Sequence, residues 1–210
     1  HVYESGAVVL ALEEDPHEPP ARPFHVEALP EEAAREAVRL ARRLALPLEG
    51  YTADGGFFVE GDSPLLEAHQ RLLGVEAEGA DLLRLSSPLV RLQVLAEGEA
   101  PVERLLEALP RGLQAHVAES PKMPGVRFVS LTKEGVSKLS AARLVAEAYG
   151  LPLSECAMVG DGENDLELLR AVGVGIAMGN APPSVKRAAQ RVVAPVEACG
   201  LAEALRLLRG

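Results

Sequence analysis

Apolar and polar positions along the chain change their rhythm near residue 126. Before that point, strict alternation dominates. From Leu89 to Leu95, Val90, Leu92 and Val94 fall on one side and Arg91 and Gln93 on the other, the mark of a half-buried strand. Leu113, Ala115 and Val117 alternate with Gln114 and His116 in the same way. Between these strands lie stretches of helical spacing. Ala34, Val38, Ala41 and Ala45 follow Pro30, Leu65 to Leu73 form a second stretch, and Val102, Leu105, Leu106 and Leu109 follow Pro101. Phe24 to Leu29 reads as a strand, and Tyr51 to Glu60, with Asp54-Gly55-Gly56 at its centre, as a hairpin. Residues 22–125 therefore predict the order β-α-β-β-α-β-α-β, an antiparallel sheet with helices on its apolar face.

After residue 126 the strands become short continuous apolar runs alternating with helices. Strands are predicted at 128–131, 156–159, 174–177 and 191–194. Helices are predicted from Lys138 to Tyr149 and at 164–171, 184–190 and 200–208. This texture belongs to a parallel, doubly wound sheet. Ahead of both regions, Ala7-Val8-Val9-Leu10 predicts a strand, and residues 13–23, with Pro16, Pro19, Pro20 and Pro23, a linker. The expected fold is α/β in three segments: a core remnant with linker at 1–21, an inserted α/β domain at 22–125, and the C-terminal part of a Rossmann-like core at 126–210.

Composition narrows the possible functions. The chain is 48% hydrophobic but only 3% aromatic, so its core is built from Leu, Val and Ala. A net charge of −10 argues against nucleic-acid binding, which needs a basic face. No apolar run has the length of a bilayer span, so no membrane association is expected. Cys156 and Cys199 show no metal-ligand spacing and read as reduced packing residues of a cytoplasmic protein. The sequence starts at His1, and Val2-Tyr3-Glu4 leads straight into a strand with no signal-peptide pattern. It reads as the middle of a fold whose upstream part lies elsewhere.

The candidate chemistry gathers at predicted strand ends. Val159-Gly160-Asp161-Gly162-Glu163-Asn164-Asp165 follows the apolar run Cys156-Ala157-Met158. Ligands of open α/β sheets bind outside the carboxyl ends of the strands, and hard oxygen ligands there suit Mg²⁺. Asp161 can reach a cation directly, and Asp165, four residues on, is better placed to hold a neighbouring group. The plainer reading makes Asp161 an N-cap, with Asn164 and Asp165 favoured by the helix dipole. Lys138 opens a helix after Gly135-Val136-Ser137, where a cation is disfavoured and needs an anionic partner. Gly179-Asn180-Ala181-Pro182-Pro183-Ser184 supplies another polar turn on the same edge, or an ordinary helix start.

Gly135-Val136-Ser137-Lys138, Gly160-Asp161-Gly162-Glu163-Asn164-Asp165 and Ala177-Met178-Gly179-Asn180-Ala181, in this order and spacing, closely resemble the haloacid-dehalogenase superfamily, in its Cof-type branch of sugar-phosphate phosphatases. The resemblance implies Mg²⁺-dependent hydrolysis of a phosphate monoester on a Rossmann-like core under a large α/β cap, for which 22–125 has the size and pattern. It implies that Asp161 is the metal ligand and that Asn164 contacts the substrate. It implies that Lys138 balances charge at the nucleophile and phosphoryl group, and that Asp165 orients that lysine. Asn180 joins Lys138 and Asn164 among the candidate substrate contacts. Arg91, on the polar face of the predicted cap sheet, joins them as a planar fork for a second anionic group.

The chain also departs from the family pattern. It contains no Asp-x-Asp-Gly strand end, which in the family carries the nucleophile and the general acid/base, and no strand ending in the family's Ser or Thr. Glu4-Ser5-Gly6-Ala7 resembles the Asn-Gly-Ala turn just beyond that second motif, with Ser5 in place of Asn, and Leu139 stands where glycine often follows the lysine. The expectation is a phosphatase whose nucleophile lies upstream of this chain, so that the 210 residues alone are inactive. Its substrate is a small sugar phosphate or phosphorylated acid, such as mannosyl-3-phosphoglycerate or phosphoglycolate. The competing readings are a non-catalytic binder of phosphorylated ligands and a phosphoryl transferase of the mutase kind.

Overall fold

The computed structural model describes residues 2–10 and 23–209. Most of the predicted linker at 13–23 lies outside the described residues; Pro23 opens a strand. In chain order the elements are β1 (Val2–Tyr3), β2 (Val8–Leu10), β3 (Pro23–Val26), α1 (Glu31–Arg43), β4 (Leu48–Thr52), β5 (Phe57–Glu60), α2 (Pro64–Leu73), β6 (Glu78–Gly79), β7 (Leu89–Glu97), α3 (Ala100–Glu107), β8 (Leu113–Ser120) and β9 (Met123–Lys133). They continue with α4 (Lys138–Ala148), β10 (Ala157–Gly160), α5 (Leu166–Ala171), β11 (Val174–Ala177), α6 (Pro183–Ala188), β12 (Arg191–Val192) and α7 (Gly200–Arg209). The chain divides into two compact units between Val136 and Ser137.

The first unit is built on a six-stranded sheet in the order β6-β5-β4-β7-β9-β8. Its pairings are antiparallel except β5 with β6. β9 sits between β7 and β8. The apolar run at 128–131, which its local texture groups with the parallel region, is thus the middle of an antiparallel strand. Two helices cover one face. Helix α1 carries Glu31 and Glu32 in its first turn and Arg42 and Arg43 in its last, which suits the helix dipole. Its buried Ala33, Ala37, Val38 and Ala41, with Val102 and Leu105 of α3, pack on Leu92, Val94, Ala96, Val129 and Leu131.

The opposite face is not simply wet. Leu95 and Phe128 are register partners, and with Val59 they form a second apolar patch covered by Leu66 of α2. Helices therefore pack on both faces, one more than the single apolar face expected from alternation. Val90 also departs from its predicted side. Thr52 pairs with Leu89 and Tyr51 with Arg91, so Val90 is the extra residue of a β-bulge. It leaves the cluster of Leu92 and Val94 and packs with Ala7, Val8, Tyr51 and Val136.

In the second unit β10, β11 and β12 form a parallel three-stranded sheet in that order. The side chains alternate between two helix-covered faces. Ala177 and Met158 meet Leu169 of α5 and Val185 of α6. Ile176, Val159 and Val174 lie with Ala204 of α7 on the other side. This is the doubly wound arrangement expected for the region, and it points the carboxyl ends of β10 and β11 toward the loops at 161–165 and 178–182. No helix among the described residues is long and apolar enough to cross a membrane.

Candidate active site

The site grows from the end of β10. Gly160 is the strand's last residue, and a Cβ there would lie 2.7 to 2.8 Å from the side chain of Asp165. Only glycine lets the chain pass that carboxylate so closely. Beyond it, Glu163–Asp165 form a 3-10 turn whose N-cap is Gly162, and α5 begins at Leu166. Asp161 caps neither element with its side chain. The capping role falls to Asp165, whose Oδ2 accepts the backbone N–H groups of Asp161 and Gly162, each at 3.0 Å. Asp161 and Asp165 therefore do not share one helix face. Asp165 turns inward, 3% exposed, while Asp161 stays exposed at the strand end.

Lys138 is the first residue of α4, after a capping box between Ser137 and Ser140. Its ammonium finds the anionic partner that this unfavourable position demands. Nζ donates to Asp165 Oδ1 at 2.5 Å. Asp165 thus uses one oxygen for the turn and the other for the lysine. The lysine side chain remains about a third exposed while the carboxylate is buried, so the cation faces outward from a fixed base.

Asn180 follows β11 and donates through Nδ2 to Asp161 Oδ2 at 3.1 Å. Ser184, in the first turn of α6, donates to Glu163 Oε1 at 3.0 Å. The β10 and β11 loops are therefore tied together twice. Asn164 is exposed in the 3-10 turn, and a Cβ at residue 162 would meet its Oδ1 at 2.5 Å. Of the residues singled out from the sequence, Lys138, Asp161, Asn164, Asp165 and Asn180 all belong to the second unit.

Arg91 belongs to the first unit. Its side chain is 17% exposed, with Nε 2.6 Å from Glu4 Oε2. Nη1 donates to Gln93 Oε1 at 3.2 Å and to Ser130 Oγ at 3.4 Å. The guanidinium lies 3.9 Å from the centre of the Tyr51 ring, a cation–π contact. Behind it, the fully buried Glu49 accepts from Tyr51 Oη at 2.7 Å and from Gln93 Nε2 at 2.8 Å. His69 Nδ1 of α2 lies 2.6 Å from the same carboxylate. Burial first, and then the Glu49 charge, push the Tyr51 phenol pKa upward. Sequence reasoning did not anticipate Glu49, His69 or Glu4. A single glutamate inside a strand gives no signal that donors from two other elements will converge on it.

The donor chemistry at the β10 end fits a hard cation, because Asp161 offers an exposed carboxylate whose Oδ1 takes no hydrogen bond among the described residues. Asp161 is one ligand, not a whole shell. No group of three or more His, Cys, Asp or Glu side chains able to hold a metal occurs among the described residues.

A parallel sheet with an exposed aspartate at one strand end, beside a lysine paired to a second, buried aspartate, points to a class of phosphoryl-handling α/β hydrolases. The chain belongs to the haloacid dehalogenase-like hydrolases, whose family model matches residues 21–205. A Haemophilus influenzae protein named only as a candidate phosphatase is 27% identical over 198 residues, covering 94% of this chain and 71% of its own. Phosphoglycolate phosphatase of Methanothermobacter thermautotrophicus is 34% identical over 82 residues, 39% of this chain and 37% of that protein. Among solved structures, a phosphatase of this superfamily from Bacteroides thetaiotaomicron superposes with a TM-score of 0.74 at 26% identity, covering 89% of this chain and 67% of that one.

Proposed function

We propose that the protein hydrolyses a small phosphate monoester, with Asp161 holding Mg²⁺ and Lys138 neutralising charge on the phosphoryl group. The observation that carries this reading is the Lys138–Asp165 contact at 2.5 Å beside an exposed Asp161 at the same sheet edge, in a chain of this hydrolase family. A bound Mg²⁺ supplies positive charge next to the phosphoryl oxygens. The ammonium of Lys138 adds a second positive charge that is already oriented before substrate arrives. Asp165 keeps that ammonium aimed, and Asn164 is exposed on the turn beside it. In an acidic chain of net charge −10, such a local cationic site is what admits an anionic substrate.

The nucleophile of this proposal is a carboxylate that takes the phosphoryl group and gives it up to water. The 210 residues contain no Asp-x-Asp pair, and we place the nucleophile on a segment preceding His1. The 210 residues alone then release no phosphate. The name of the Methanothermobacter relative supports a phosphorylated acid as substrate.

The test is phosphate release by the full-length protein from phosphoglycolate and from neutral sugar phosphates, with and without Mg²⁺. Mg²⁺-dependent release is expected. Stoichiometric binding of the esters without release would overturn the enzymatic reading, and transfer to an added acceptor sugar would replace hydrolysis by a transferase reaction.

A further inference from the structure

We propose that Asn180 is a positioning residue for Asp161: it holds one carboxylate oxygen and leaves the other presented to the cation. This deepens the reading above, because it rests on a cation at Asp161. It also departs from the substrate-contact role expected for Asn180 from the sequence.

The geometry assigns both ends of the Asn180 amide. Oδ1 accepts the backbone N–H of Val196 at 3.1 Å, and Nδ2 donates to Asp161 Oδ2 at 3.1 Å. Chemistry settles which end is which. A backbone N–H can only donate and a carboxylate can only accept, so the amide carbonyl faces Val196 and the amino group faces Asp161. The side chain is thus a bridge between two elements of the second unit, the end of β10 and the turn before α7.

That turn is itself held. Gly179 N–H donates to Ala194 O at 3.2 Å, and Gly200 N–H to Pro195 O at 3.2 Å. Asn180 therefore reaches Asp161 from an anchored base. A hydrogen bond to a charged acceptor is stronger than one between neutral groups. It removes the free rotation of an exposed carboxylate and selects which oxygen remains open. Residues that orient a metal ligand in this way typically change metal affinity about 10- to 100-fold when removed. The Ser184–Glu163 contact ties the same two loops but touches no oxygen of Asp161, so it fixes the loops without choosing the open oxygen.

The test uses Mn²⁺ as the probe, with free and bound ion counted by electron paramagnetic resonance in the full-length protein, so that no turnover is needed. Asn180→Ala is expected to weaken Mn²⁺ binding by roughly tenfold or more. The substrate KM at saturating cation is expected to stay near the wild-type value. Val196→Pro replaces the N–H that holds the amide by a ring Cδ, so the donor is lost and the Asn180 carbonyl is pushed off its seat without a change at Asn180 itself. Val196 is exposed and begins a 3-10 turn, and Pro195 before it is already extended at ψ 168°, so proline fits there. It should weaken Mn²⁺ binding in the same direction, and it decides the matter if Asn180→Ala does not fold. Unchanged Mn²⁺ affinity in the folded variants, with a raised substrate KM for Asn180→Ala, overturns the proposal in favour of a substrate contact. A wild-type protein that binds no Mn²⁺ at Asp161, judged against Asp161→Ala, overturns the cation reading itself and the positioning role with it.

Discussion

Lys138 and Asp165 meet at 2.5 Å, and the carboxylate oxygen not used by the lysine accepts two backbone N–H groups of the turn that carries Asp161. One buried side chain therefore does two tasks: it shapes the loop of the candidate metal ligand, and it aims the cation that would stand opposite a phosphoryl group. A buried carboxylate is tolerable because three donors satisfy it. The same arrangement makes the two residues interdependent.

Lys138→Ala should lower turnover of the full-length protein by about 100-fold or more, through lost charge stabilisation. Asp165→Ala should do comparable damage, because the ammonium loses its anchor, and it should also lower the melting temperature. Effects of contacting residues are not additive. The double variant should be little worse than the poorer single one. A full sum of the two losses in kcat/KM would show that they act separately.

Asp161→Ala should remove cation-dependent turnover, whereas Glu163→Ala should keep it. Glu163 is exposed and receives the Ser184 hydroxyl, a structural tie worth about 1 kcal/mol. Titrating activity against Mg²⁺ in both variants distinguishes them; an Asp161→Ala protein with a normal Mg²⁺ response would refute the assignment.

Gly160→Ala places a methyl group within 2.8 Å of Asp165. The carboxylate must move, and with it the lysine and the turn. Overpacking of this kind costs about 1–3 kcal/mol, so a lower melting temperature should accompany a large loss of activity. Wild-type activity in Gly160→Ala would mean that the exact seat of Asp165 is unimportant.

Glu27 tests the electrostatics of the first unit. Lys133 Nζ donates to its Oε2 at 2.5 Å, and this hydrogen bond first, with nearby charge second to burial, holds the Glu27 pKa below its ordinary 4.5. A depressed folded-state pKa stabilises the protein above the unfolded value and loses that contribution as pH falls through the lowered folded value. The pair is part-exposed, so the effect is about 1 kcal/mol or less. Melting temperatures of wild type and Lys133→Met should differ by a constant amount near neutral pH and converge below 4.5. A gap that widens on acidification would reverse the sign and exclude the mechanism.

Much of this protein is set by local pattern. Helical spacing from Leu65 to Leu73 marked α2; in the structure Ser63 caps it and Gly74, at a left-handed φ of 68°, ends it. Alternation marked β7 and β8, and the Asp54-Gly55-Gly56 turn marked the hairpin between β4 and β5, whose first strand begins three residues earlier than the expected Tyr51. The three polar turns carrying Lys138, Asp161 to Asp165 and Asn180 stood out because polar residues interrupt apolar runs at strand ends.

Tertiary structure decided what pattern cannot encode. Alternation says which residues share a side of a strand, but not which strand lies beside it, so β9 could be placed in the antiparallel sheet only by its pairing with β7 and β8. Alternation also presumes an unbroken ladder, and one extra residue opposite Tyr51 and Thr52 carried Val90 to the other face. At the site, Asp161 and Asp165 look alike in sequence. One became exposed and the other buried because three donors, one of them 27 positions away on Lys138, converge on Asp165. Asn180 reaches Asp161 across 19 positions and Val196 across 16. Such contacts depend on the packing of a whole sheet edge, and that packing is a property of the folded chain rather than of any window along it.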